Sequence, residues 1–168
     1  MARIIVWFIL LPGGLIAAIT LDLHFFRTVF SSLSFHIVSS LLGIVLLRLV
    51  VNASRKTGRL LAREGRVGKL PRMETNRLVT TGIYGCMRHP MHLGLIFFPL
   101  AVGLVAGSPS FILLFAPLEA FFILVMLKFY EEPETIRKFG DEYRAYQRRV
   151  PMFNFSAECF RELFLRRE

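Results

Sequence analysis

The hydrophobic positions of this chain gather into four long runs: Ile4 to Leu21, Leu33 to Val51, Met91 to Ala106 and Pro109 to Lys128. A helix that crosses a bilayer needs about 20 largely apolar residues, within a range of roughly 17 to 25. The pattern therefore predicts four membrane-spanning helices. The third run is short and carries Gly94, Pro99 and Gly103, so a kinked or partly shielded helix is expected there. Only Gly107-Ser108-Pro109 separates the last two runs, which must fold back antiparallel. That hairpin brings two polar clusters together on one face of the membrane. Arg88-His89-Pro90 stands just before the third run, and Glu131-Glu132 ends the fourth.

Composition agrees with a chain that lives in lipid. Hydrophobic residues make up 54% of it, and 17 of the 168 residues are Phe. So little lies outside the runs that a single membrane domain over residues 1–168 is expected, not an anchor bearing a soluble enzyme. Arg3 and Ile4 to Leu11 also have the form of a signal peptide, yet the apolar stretch continues past Pro12-Gly13-Gly14 and no small-residue cleavage site follows. A retained first span is the expectation.

The net charge of +9 is concentrated. Between Asn52 and His89 stand nine Lys or Arg (55, 56, 59, 63, 66, 69, 72, 77, 88) against Glu64 and Glu74. Lys and Arg accumulate in cytoplasmic loops, which places the loop 52–90 and, with four spans, both termini in the cytoplasm. Most of this charge serves topology. Beyond that it suits anionic lipid headgroups, and no aromatic-interleaved pattern points to nucleic acid. Cys86 and Cys159 lie far apart on that same face, so no disulfide is expected, and Cys86 reads as a small apolar filler.

Local patterns complete the picture. Ser54 to Glu64 reads as a basic amphipathic helix, broken by Gly65, Gly68 and Pro71. Leu78 to Met87 reads as loop. Ile136, Phe139, Tyr143, Tyr146 and Val150 recur at steps of three and four, predicting a helix that opens at Pro133 and stops at Val150-Pro151. Taken singly, each polar residue has a plain explanation: a snorkelling Arg88, a helix start at His89-Pro90, an N-terminal cap at Glu131-Glu132, packing tyrosines. Their convergence on one face argues for a site. Glu119, halfway along the fourth span, is costly in lipid and is either functional or a structural acid, protonated or paired with Arg48. His89 and His92 do not make a metal site, because no clear third ligand accompanies them.

The stretch LVTTGIYGCMRHPMHLG, Leu78 to Gly94, resembles the signature of the isoprenylcysteine carboxyl methyltransferase and phospholipid methyltransferase family. A second stretch, Glu131 to Pro151, is similar to that family's Glu-Glu, Phe-Gly-x-x-Tyr-x-x-Tyr and Val-Pro series. The resemblance implies an all-α integral membrane methyltransferase that uses S-adenosylmethionine, with its C-terminal helix over the cofactor pocket. It also implies roles. His89, Pro90 and His92 would hold the methionine end. Leu78, Val79 and Tyr84 would line the nucleoside, and Gly94 would let the helix backbone approach. Glu131 and Glu132 would bind polar cofactor groups, and no Gly-x-Gly-x-x-Gly competes for a nucleotide.

Methyl transfer from a sulfonium is an in-line displacement, so the protein's task is chiefly positioning. A carboxylate acceptor needs an orienting cation, for which Lys128 is the candidate. An amine must lose a proton, for which Glu132 is the candidate base. Three features depart from the family pattern: Met152-Phe153-Asn154-Phe155 follows Val150-Pro151 without the usual later proline, and two positions carry a different residue. His92 stands where the family has Tyr, and Lys128 is the cation where carboxyl-methylating members carry Arg, which is not an equivalent clamp. The acceptor expected is a lipophilic small molecule: an isoprenylcysteine-like carboxylate, a phospholipid amine or a small thiol. An NADPH-dependent reductase of the sterol reductase type and a non-enzymatic four-helix transporter are the alternatives. The first needs a pocket for a second nucleotide phosphate, and the second usually keeps its charge near the midplane.

Overall fold

The computed structural model describes residues 2–69, 71 and 74–164, with side chains from residue 10 onward. The expected first-span residues Ile4 to Ile9 are thus described in backbone only, and Arg72 of the basic loop lies outside the described residues. Among the described residues every regular element is helical: α1 (Ala2–Phe25), α2 (Arg27–Phe30), α3 (Leu33–Glu64), α4 (Ile83–Cys86), α5 (Pro90–Ala106), α6 (Ala116–Met126), α7 (Glu132–Arg149) and α8 (Ala157–Phe164). Two π-helical turns, Phe111–Phe115 and Leu127–Glu131, flank α6.

Among the described residues two helices are long and apolar enough to cross a membrane, Leu33–Glu64 and the continuous run Phe111–Arg149. Their most apolar stretches are only 17% and 28% buried, whereas the core helix of a soluble protein is mostly buried. Leu33, Ile37, Val38, Leu41, Leu42 and Val45 on α3, with Leu113, Leu118 and Phe121, all face outward. Apolar surface on that scale marks a lipid-facing belt. Two shorter apolar helices, Leu10–Phe25 and Pro90–Ala106, accompany them.

The chain packs as two compact units, Met1–Arg48 with Ile96–Ile123, and Leu49–Leu95 with Leu124–Glu168. In the first, Ala18, Phe111 and Ala116 form a small core with Leu11, Leu15, Leu100 and Phe115 around it. Small residues bring its helices close. A Cβ on Gly43 would lie 2.5 Å from the Val105 backbone nitrogen, so α3 and α5 touch there main chain to main chain. Exposed helix ends in lipid need partners, and side chains from neighbouring helices provide them. Ser39 and Ser40 donate to the carbonyls of Leu104 (2.7 Å) and Val105 (3.1 Å) at the end of α5. Fully buried Asp22 accepts from the Ser108 hydroxyl and from the Ser110 amide (2.7 Å) where the next helix begins. Glu119 is buried beside Gly14; among the described residues its Oε2 has no hydrogen-bond partner, and Arg48 does not pair with it.

The second unit carries the polar clusters. Ala53, Leu60, Val79, Ile83, Tyr84, Met87, Leu93, Cys159 and Leu163 make its core. The expected amphipathic segment 54–64 is the unbroken continuation of α3, with Ala53, Thr57 and Leu60 turned inward at steps of three and four. Gly65 ends it, as read from the sequence. Two expectations are overturned here. The helix over 133–150 breaks at Gly140, whose φ of +56° and ψ of −130° suit only glycine, so α7 is two helical segments. Cys86 and Cys159 form a disulfide that joins α4 to α8. Sequence separation hid that pair, because the chain between them returns to its starting point.

Candidate functional site

Every part of the site lies within the second unit. Met87 is extended after α4, and Pro90 then opens α5, so Arg88 and His89 sit on a short irregular link between two helices. That link is pinned to the chain after α7. The Arg88 amide donates to the Pro151 carbonyl (3.0 Å), and the His89 amide donates to the Met152 carbonyl (3.2 Å). Tyr146 donates its hydroxyl to the Tyr84 carbonyl at 2.5 Å.

Glu132 organises the side chains. Its Oε1 accepts from Arg88 Nε (3.0 Å) and Nη2 (2.6 Å), meets His89 Nε2 at 3.1 Å and accepts from the Tyr143 hydroxyl at 3.3 Å. Its Oε2 accepts from Gln147 Nε2 at 3.1 Å. The remaining Arg88 nitrogen, Nη1, donates to the Val150 carbonyl at 2.5 Å and reaches that of Gln147 at 3.4 Å. The side chains of Arg88 and Glu132 are only 10% and 12% exposed, so this is a nearly buried, charge-assisted ion pair.

Electrostatics follow from that packing. Burial alone would raise the Glu132 carboxyl. The hydrogen bonds from His89 and Arg88, with the Arg88 charge, outweigh it and hold the group at about 2. Burial and the adjacent Glu132 charge push the Tyr143 phenol up to about 12. Burial also raises Tyr84 and Tyr146. At neutral pH the cluster therefore presents an ionised Glu132, a cationic Arg88 and neutral phenols.

The sequence-predicted residues divide among three settings. His89 and Glu132 bond directly. Pro90 is fully buried behind them, and the ring of His92, one turn along α5, lies edge-on to that of His89 at 5.5 Å. Tyr84 and Val79 belong to the apolar core, with Leu78 half-buried beside them. Gly94 is buried, and a Cβ there would come within 3.3 Å of Ser54 Oγ and 3.5 Å of the Val50 carbonyl, so α3 is what it approaches. Glu131 is half-buried in the π turn, where its carbonyl accepts from Thr135. Lys128 is exposed, its ammonium 5.9 Å from the centre of the Phe129 ring, and it takes no part in the cluster.

Gln147 was missing from the expected set, and Arg88 and Tyr143, whose convergence the sequence showed, had no role there. Arg88 supplies the charge that holds Glu132, and Tyr143 and Gln147 complete its shell. Their signal was present: positions 143 and 147 are four apart on one helix face, eleven and fifteen residues beyond Glu132.

A helical chain with exposed apolar helices and a nearly buried Arg–His–Glu cluster has the character of a membrane protein that carries a polar site. The phospholipid methyltransferase family model matches residues 38–142, which make up most of the chain and include Arg88, His89 and Glu132. The chain belongs to that family. It is 34% identical over 86 residues to a protein-S-isoprenylcysteine O-methyltransferase of Schizosaccharomyces pombe, covering 48% of this chain and 34% of that protein. It is 44% identical over 71 residues to methanethiol S-methyltransferase 2 of Bradyrhizobium diazoefficiens (42% and 26%). It is 32% identical over 83 residues to protein-S-isoprenylcysteine O-methyltransferase B of Arabidopsis thaliana (49% and 42%). The matches thus span about a quarter to two fifths of those relatives. No solved structure matches the chain.

Proposed function

We propose that this chain is an S-adenosylmethionine-dependent membrane methyltransferase acting on a lipophilic small molecule at the cytoplasmic interface. In this reading four helices cross the bilayer as one domain over residues 1–168, and α7 folds back over the cofactor pocket. The loop 52–90 and both termini face the cytoplasm, and the loop's basic residues rest on anionic headgroups. The observation that carries the reading is the nearly buried Arg88–His89–Glu132–Tyr143 cluster, inside or bordering the region that matches the family.

The residue chemistry fits the cofactor. A zwitterionic amino-acid end needs both donors and acceptors, which Arg88, His89, Glu131 and Glu132 supply within one turn of each other on their respective segments. The adjoining apolar side chains of Val79, Tyr84 and Leu93 suit a nucleoside. When bound, S-adenosylmethionine supplies an electrophilic methyl on a sulfonium. The protein's part is to hold the acceptor in line with it and exclude water. Glu132, which bonds Arg88 and meets His89, positions both of them. An acceptor carboxylate needs no base. An amine must give up a proton, and a thiol reacts as its thiolate. With Lys128 outside the cluster, an amine or thiol acceptor asks less of this chain than a carboxylate does.

Calorimetric titration of S-adenosylhomocysteine into detergent-purified protein tests the reading. Micromolar binding is expected, and it should be lost in a His89→Ala, Glu131→Ala double variant that remains folded by circular dichroism. A folded wild-type sample that binds none would overturn it, and NADPH would then be titrated.

A further inference from the structure

The cysteines are unused by this chemistry, yet their placement bears on it. Cys86 stands three residues before His89, and Cys159 stands seven after Met152. Between them, the amides of Arg88 and His89 donate to the carbonyls of Pro151 and Met152. The Asn154 side chain reaches the Cys86 carbonyl at 3.5 Å. The disulfide therefore closes a ring around the backbone that presents Arg88 and His89, fastening the segment after α7 to it.

Apart from that bond, α8 is held by its packing rather than by its own helical stability. It has eight residues, too few for a stable isolated helix. It buries Cys159 and Leu163, and Lys56 donates to its Glu162 carbonyl at 2.5 Å. The covalent tie adds to that packing by holding α8 against α4, whose last residue stands three before His89.

We infer that the Cys86–Cys159 disulfide is a reversible clamp, whose opening frees α8 and speeds ligand exchange at the Arg88–His89–Glu132 cluster. The exchange half of this rests on the cofactor reading above. On a cytoplasmic face, disulfides are commonly transient and redox-sensing rather than structural. Opening needs a dithiol reductant. One of its thiolates attacks a cystine sulfur and forms a mixed disulfide, releasing the other cysteine as a thiolate. The second reductant thiol then displaces the remaining cysteine. The reductant leaves as its disulfide, and its two protons and two electrons end on Cys86 and Cys159. Cys86 keeps part of its surface exposed whereas Cys159 is buried, so the approach is from the Cys86 side.

The full chain in micelles is compared after oxidised glutathione and after dithiothreitol. Alkylation followed by intact mass counts the free thiols. Hydrogen exchange follows Ala157–Phe164, and release of labelled S-adenosylhomocysteine follows the site. The oxidised protein is expected to show no free thiol. Reduction should speed exchange in α8 by about tenfold and ligand release severalfold. A Cys159→Ser variant should match the reduced protein in both buffers. Two free thiols after oxidised glutathione, or α8 exchange equal in both states, would sink the clamp. Equal ligand release in both states would overturn its link to the site. If the ligand binds in neither state, the cofactor reading has failed, and α8 exchange alone decides the clamp.

Discussion

Glu132 accepts from Arg88, Tyr143 and Gln147 and meets His89, so its charge is held by neighbours on two segments, the link before α5 and the second half of α7. Glu132→Gln keeps the shape but leaves Arg88 nearly buried without its counter-charge. Orphaning one member of a fully buried pair costs about 3–5 kcal/mol. Both side chains keep about a tenth of their surface in solvent, so a loss of roughly 2–3 kcal/mol in stability is expected from reversible unfolding in detergent. Ligand affinity should fall with it. The pH dependence carries a sign. The Glu132 carboxyl is lowered from an ordinary 4.5 to about 2 on folding. Its contribution is therefore complete above the ordinary value and disappears as pH falls toward 2. Between those limits the wild type should lose stability that Glu132→Gln no longer has to lose. Glu119 works the other way. Among the described residues its buried Oε2 has no hydrogen-bond partner, so Glu119→Leu should raise stability by about 1 kcal/mol. The sequence marked both acids by their position at or within an apolar run. It also brought Arg88-His89 beside Glu131-Glu132, but it did not reveal Gln147, which reaches Glu132 from the helical segment beyond the Gly140 bend.

At the scale of elements, the apolar runs were readable because each is a property of contiguous residues. α3 and α5 start at or within one residue of the predicted positions. What escaped were features set by single residues or by distant partners. The apolar stripe from Ile136 to Val150 implied one helix, and a glycine inside it weakens a helix by only about 1 kcal/mol, which leaves the prediction unchanged. The structure instead puts Gly140 at φ +56°, where no other residue rests easily, and so turns α7 toward Glu132 in two segments. Nothing lies within 4 Å of a Cβ built at Gly140, so Gly140→Ala tests the backbone alone. It should cost about 1–2 kcal/mol. The Tyr146 bond to Tyr84 and the Tyr143 bond to Glu132 would weaken together, visible as faster hydrogen exchange over residues 141–149. The same substitution at Gly58, inside α3 with equal room and an ordinary helical conformation, should stabilise instead, by a few tenths of a kcal/mol or more. Opposite signs at two uncrowded glycines would establish that Gly140 is a designed bend.

For the whole molecule, the placement of charge decides which way the chain sits in its membrane. Arg55, Arg59 and Arg63 lie exposed on the polar continuation of α3, and Glu64 is occupied by Arg63 (3.2 Å) and Thr81 (2.5 Å). Little acid remains to offset the loop. The α5–α6 turn at Gly107-Ser108-Pro109, by contrast, carries no ionisable group. Each cationic residue held near an anionic leaflet contributes about 1 kcal/mol, so several together outweigh any preference of that uncharged turn. The loop should therefore face the cytoplasm. A single cysteine at exposed position 74, Glu74→Cys in a Cys86→Ser, Cys159→Ser background, makes this measurable with a membrane-impermeant maleimide. Labelling is expected in inside-out vesicles and absent in right-side-out ones. The reverse pattern would move the Arg88–His89–Glu132 cluster to the opposite face, away from cytosolic S-adenosylmethionine. In that orientation the disulfide would stand in an oxidising compartment as a permanent staple. The same labelling therefore bears on the cofactor, on the clamp and on the orientation, which are one question about where the basic loop lies.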